Sequence, residues 1–173
     1  GTLLDQRFTN LALESRKVGY DPTLFGYTDI SRDPRGLHPN NPALKTYENL
    51  LPGMTSGVKV DDHHKPWIGW LKSRGYPSTL ERENVFLPVL GDPNANKEIY
   101  TSAPSLYDRD HSNTAFLTDS LLEWFSTHEG EDWFVHLSYL HPHPPWVAPE
   151  PFNNMYDPAR VSPPLRATSI EKE

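Results

Sequence analysis

Two histidines separated by one proline, His141 and His143 in the run Y-L-H-P-H-P-P-W over residues 139–146, are the side chains here best suited to chemistry. Imidazole exchanges protons with a substrate near neutral pH and also ligates metals. Residues 133–140 just ahead of them, W-F-V-H-L-S-Y-L, are apolar or aromatic at almost every position, which predicts a strand buried on both faces of a sheet. Pro142, Pro144 and Pro145 cannot donate ladder hydrogen bonds, so the chain must leave the sheet there on a stiff, extended segment. Ligands of open α/β sheets bind just beyond the carboxyl ends of strands, which makes this exit the leading site candidate. The plain alternative is a proline-rich loop whose histidines face water.

A second group, Tyr27, Thr28 and Asp29, ends a short β-rich run over residues 23–28. Hydroxyl and carboxylate groups at a strand terminus can meet a bound oxyanion or its metal. The following stretch, residues 29–42, holds three prolines together with Arg32, Asp33, Arg35 and His38, and reads as a loop. An Asx turn at Asp29 and surface ion pairs between Asp33 and Arg32 or Arg35 are the competing explanation. Asp61, Asp62, His63 and His64 are four adjacent potential ligands, yet neighbours in a loop seldom converge on one ion and no spaced partner accompanies them, so no metal site is expected. Asp119 and Glu123 fall four apart on a helix and are expected to face solvent.

The elements that must carry these groups are legible in part. Residues 4–17 place Leu4, Phe8, Leu11, Ala12 and Ser15 on one helical face, with Gly19 as the stop. Residues 67–74 predict a short helix opened by Pro66 and closed by Gly75, with Trp67, Trp70 and Leu71 in the core. Residues 110–129 predict a helix capped by Ser112 or Asp110, with Phe116, Leu117, Leu121, Trp124 and Phe125 at helical spacing. Residues 91–105 are polar and turn-rich and read as an exposed insertion. Each of the two outer helices runs into a strand, and two such units predict an α/β fold with a mostly parallel sheet flanked by helices and long proline-rich loops.

Composition narrows the partners. Eight histidines, no cysteine and a formal charge of −7 leave no thiolate chemistry and no basic stripe for a nucleic acid. No run is long and apolar enough to span a membrane, and no signal peptide is visible, so a soluble, cytoplasmic protein is expected.

The run G-Y-D-P-T-L-F-G-Y-T-D over residues 19–29, the D-P-R at 33–35 and the H-P-H-P-P at 141–145 together resemble the sulfatase family of the alkaline phosphatase superfamily, in the branch of phosphonate monoester hydrolases and arylsulfatases. The resemblance runs from Leu4 to about Pro158 and implies a partial sulfatase-type domain over residues 1–158, followed by a mobile tail over 159–173. It implies that His143 contacts the ester or leaving-group oxygen and that Tyr27 lies close to the ester. Thr28, Asp29, His141 and Trp146 are substrate-side neighbours on the same basis. The position of Asp29 is a threonine in phosphonate monoester hydrolases; a carboxylate there repels an anionic ester unless it is protonated, paired or metal-bound. The loop P-F-N-N-M-Y-D-P is expected to pack Phe152, Met155 and Tyr156 back on the body.

By the same resemblance the nucleophile sits in a C-x-P-x-R or S-x-P-x-R motif upstream of Gly1. The ligands of a divalent cation such as Mn, Ca or Mg lie partly at the extreme N-terminus and partly in a downstream D-H-G. Neither motif is expected among these 173 residues. The chain is therefore expected to be an internal segment of a sulfatase-like hydrolase of anionic esters, without cofactor and inactive alone. Two alternatives are a non-catalytic binding module that self-associates to cover its exposed sheet, and a metal-dependent enzyme built on His141, His143 and Asp29.

Overall fold

The computed structural model describes residues 7–60, 63–89, 91–92 and 101–165. Its centre is β1 (Pro22–Gly26), which lies between β2 (Thr55–Lys59) and β3 (Phe134–Leu137), and both pairings are parallel. All five residues of β1 are buried, because a strand paired on both edges and covered on both faces leaves no side chain in water. α1 (Leu11–Lys17) leads into β1, and α4 (Asn113–Ser126) leads into β3. The α/β class with a parallel sheet is the one found.

α4 begins where the Ser112 hydroxyl accepts the Ala115 N–H at 3.1 Å. It lies against all three strands, and Trp124 meets Phe25 of β1 edge to face with ring centroids 6.2 Å apart. Asp119 and Glu123 face solvent, as like charges on a helix surface do. Behind α4 the core continues into α2 (Lys65–Ser73) and α3 (Arg82–Val85), where Trp67, Ile68, Leu71, Leu80, Val85 and Tyr107 are buried together. The Trp67 indole satisfies its one polar atom by donating to the His111 carbonyl at 3.0 Å.

Several elements depart from the sequence reading. α1 starts at Leu11 rather than residue 4, because the Asn10 side chain accepts the Leu13 N–H and caps the helix there. Phe8 and Leu11 are exposed and only Ala12 of that face is buried, while Leu4 lies outside the described residues. β3 is not buried on both faces: it has a partner on one side only among the described residues, its apolar residues are half-buried and His136 is exposed.

β2 has no counterpart in the sequence reading. Its pairing with β1 skips from Leu24↔Ser56 to Phe25↔Val58, so Gly57 is an extra residue in a bulge. A Cβ at Gly57 would come within 2.7 Å of the Phe25 ring. Packing therefore demands a glycine that destroys the alternation by which strands are recognised.

Of the expected exposed insertion, residues 93–100 lie outside the described residues, but Ala103 and Ser105 are buried. Ser105 donates its N–H to the Ala148 carbonyl at 2.9 Å and its hydroxyl to the Tyr107 carbonyl at 2.7 Å, which draws the segment onto the chain after β3. Phe152, Met155 and Tyr156 do not pack back but stand largely in water. It is Asn153 that anchors their turn, donating to the Ser102 carbonyl at 2.8 Å. Among the described residues no helix is long and apolar enough to cross a membrane.

Candidate active site

Parallel pairing brings the carboxyl ends of the three strands to one edge of the sheet. Hydrogen bonding continues past the strand ends, from Ser138 N–H to the Phe25 carbonyl at 2.8 Å and from Val60 N–H to the Gly26 carbonyl at 3.0 Å. Three exits therefore begin side by side: residues 27–29 after β1, Val60 after β2 and residues 138–146 after β3. Gly26 permits the close approach, since its φ is +110° and a Cβ there would lie 2.2 Å from the Ser138 carbonyl oxygen.

The segment after β1 is tied down by side chains. The Thr28 hydroxyl donates to the Asn49 carbonyl at 2.5 Å and accepts the Leu51 N–H at 3.0 Å. Asn49 in turn donates to the carbonyls of Ile30, Ala43 and Thr46 at 3.0, 3.2 and 3.1 Å. Thr28 is thus engaged with its own loop, Tyr27 is half-buried and Asp29 is exposed. Further on, the Arg35 guanidinium forks onto Asp33, and that hydrogen bonding holds the Asp33 carboxyl below the usual range.

The segment after β3 is held by its backbone. His143 N–H closes on the Leu140 carbonyl at 3.0 Å, so the histidines sit in a tight turn and not on an extended segment. With prolines at 142, 144 and 145, His143 carries the one backbone N–H in that stretch free to turn back. The His141 ring is half-buried, edge-on to Phe86 with centroids 6.0 Å apart. Burial pushes its pKa below the ordinary histidine value, against the opposing hydrogen bond to the His143 backbone, so the ring is neutral at pH 7.

His143 is exposed, and its Nδ1 lies 2.8 Å from the Pro144 carbonyl oxygen. A carbonyl only accepts, so Nδ1 carries the proton and Nε2 is turned over to a ligand, accepting when the ring is neutral and donating when it is doubly protonated. The Trp146 indole donates to the Pro142 carbonyl at 2.8 Å, which locks the ring while half of it stays in water. A cavity of about 470 Å³ opens beside His141, Pro142 and Trp146, and Tyr107, Arg109 and Phe152 also line it. Sequence reasoning missed these last three: Arg109 and Phe152 arrive from loops without periodicity, and nothing local marks them as facing the histidine turn.

No family model matches the chain. It is 32% identical over 170 residues to the multifunctional alkaline phosphatase superfamily protein PehA of Trinickia caryophylli, a match covering 98% of this chain and 32% of that protein. The fold matches the phosphonate monoester hydrolase of Agrobacterium radiobacter with a TM-score of 0.86 and 43% identity, over 98% of this chain and 32% of that one. A phosphonate monoester hydrolase from Silicibacter pomeroyi gives 0.86 and 42%, over 99% and 33%. The fold of the chain corresponds to part of the fold of these phosphonate monoester hydrolases. It spans about a third of the length of the relatives it matches.

The metal chemistry implied by the superfamily resemblance finds no cage here. Asp61 and Asp62 lie outside the described residues, and the two histidines after them diverge. His63 is exposed, whereas His64 is buried at φ +51°, edge-on to Phe86 and Trp67 with centroids 5.0 and 6.0 Å away. Among the described residues no three histidine or carboxylate groups gather where an ion could be held. The described residues by themselves do not assemble a site for a cation.

The S-x-P-x-R pattern, by contrast, does occur, as S-P-P-L-R at 162–166. It follows β3 instead of preceding β1, its flanking Val161 and Leu165 stand in water, and Arg166 lies outside the described residues. An activated hydroxyl needs a base or charge held beside it. Among the described residues neither is bonded to Ser162, so the pattern alone makes no nucleophile.

Proposed function

We propose that this chain forms one wall of the active site of a phosphonate- or phosphate-ester hydrolase, with sulfuric esters as a related substrate class, and that it does not turn such esters over by itself. The observation that supports it best is the juxtaposition of Tyr27 and the His141 to His143 turn at the ends of neighbouring parallel strands, in a fold with a TM-score of 0.86 to a phosphonate monoester hydrolase. In this reading the doubly protonated His143 ring donates from Nε2 to the ester or leaving-group oxygen, where a placed donor stabilises developing charge. Tyr27 lies against the ester, Thr28 holds the Tyr27 loop in place, and Asp29 stands at the rim. His141 and Trp146 support the turn from behind. The attacking group and any divalent cation come from residues other than those described.

Incubating the chain with an aryl phosphonate monoester, an aryl phosphate diester and an aryl sulfate in the presence of Mn²⁺ tests this. No turnover above buffer is expected. Turnover that disappears in His143→Ala would keep the site and overturn the claim of incompetence; turnover indifferent to that change would overturn both.

Self-association is favoured by one further observation. β2 and β3 each have one unpaired edge among the described residues, and Trp133 and Leu122 are exposed nearby in sequence. Sedimentation over a range of concentrations checks it: a homo-oligomer is expected, and a strictly monomeric chain would contradict it. Cell fractionation checks the cytoplasmic setting that completes this proposal.

A further inference from the structure

We propose that the cavity beside the histidine turn receives the organic substituent of the ester and selects an aromatic ring bearing an acidic group. This rests on the reading that the ester anion meets His143. His143 lies in the turn between Pro142 and Trp146, both of which line the cavity, so an ester held at its ring has the cavity mouth beside it.

The cavity, about 470 Å³, has the size of a small-ligand site and the apolar walls that such sites use. Trp146 and Phe152 line it and are nevertheless 52% and 47% exposed, which is aromatic surface left open at the cavity. The Trp146 indole is already fixed by its bond to Pro142, so stacking a ring on it costs little further side-chain freedom.

The charge pattern is one-sided. Among the described residues lining the cavity, Arg109 is the one that is formally charged, and no carboxylate stands with it there. Its ion pair is with the adjacent Asp110 at 3.3 Å, both side chains being largely exposed, and such a pair is weak enough to leave the guanidinium available. A guanidinium accepts a carboxylate or sulfonate through paired hydrogen bonds. His141 on the same wall is neutral at pH 7 and adds no competing charge. The preferred ligand is therefore an aryl ester with an acid on its ring.

Titrating the chain with 4-carboxyphenyl phosphate, phenyl phosphate and methyl phosphate, while following the backbone amide signals of Val147 and Ala148 in the cavity wall by NMR, tests this. Binding should weaken along that series, by roughly tenfold between the first and the last. Trp146→Ala should remove the preference for a ring while Trp146→Phe retains it, and Arg109→Gln should remove the preference for the carboxyl group alone. His143→Ala should weaken all three esters alike. Equal affinity for the three, or no binding of any at millimolar concentration, would overturn the cavity's role. If the series holds but His143→Ala changes nothing, the cavity stands and the reading of His143 as the ester contact fails.

Discussion

The exits from β1 and β3 begin one hydrogen bond apart and are built on opposite principles. After β1, Thr28 and Asn49 spend their side chains on backbone groups, five bonds in all, and the loop is fixed from within. After β3, the backbone turns on itself, and the His143 ring and half of the Trp146 ring are left to the solvent side. One exit holds position; the other presents groups. A residue can look like chemistry in sequence and serve as scaffold, as Thr28 shows, and only the destination of its hydrogen bonds separates the two.

The largest effect should come from Gly26→Ala, where both exits meet. Its positive φ and the 2.2 Å approach to the Ser138 carbonyl leave no room for a methyl group. The expected loss is about 3 kcal/mol or more, roughly 6–12 °C in the thermal midpoint. A midpoint within 2 °C of the parent, by ordinary thermal denaturation and on the order of experimental scatter, would show that the exits are not locked together.

Asn49→Ala comes next, because the half-buried Ala43 and Thr46 carbonyls lose their donor while that of Ile30 keeps the residue-49 N–H, and about 2 kcal/mol is expected from chemical denaturation. Thr28→Val should cost about 1 kcal/mol and leave ester binding intact apart from that loss. If Thr28→Val instead abolished ester binding without moving stability, the division between scaffold and presentation would be misdrawn.

A pH prediction sharpens the contrast within the second exit. Burial lowers the His141 pKa, so the unfolded chain takes up a proton that the folded chain resists. Stability contributed by this residue is therefore full above the ordinary value of 6.5 and is lost as pH falls below it. Denaturation midpoints measured across that window should fall less steeply in His141→Phe than in the parent; parallel slopes would contradict the burial of that ring. The smallest stability effect belongs to His143→Ala, within about 0.5 kcal/mol, because the side chain is exposed and its one bond is to its own neighbour.

Legibility in the sequence followed the same division. β1, α2 and α4 were readable because apolar spacing and the Pro66 and Ser112 signals agree with the packing they end in. β2 was not, since Gly57 serves the Phe25 ring at the expense of strand pattern. Residues 101–107 were not, since the Thr101 and Ser105 N–H groups are tied to the Trp146 and Ala148 carbonyls of a loop distant in sequence, which carries Ala103 and Ser105 into the interior. The histidine turn was found from its prolines, although its shape was misjudged; Arg109 and Phe152, which line the same cavity, depend on tertiary placement that no local signal carries.

The most direct test is an NMR titration of the chain with phenyl phosphate, following the ring signals of His143 and Tyr27 together with release of phenol. Both residues should shift with one common dissociation constant, and no phenol should appear. Shifts at His143 that leave Tyr27 untouched, or steady release of phenol, would contradict a shared ester-binding wall that lacks its own means of attack.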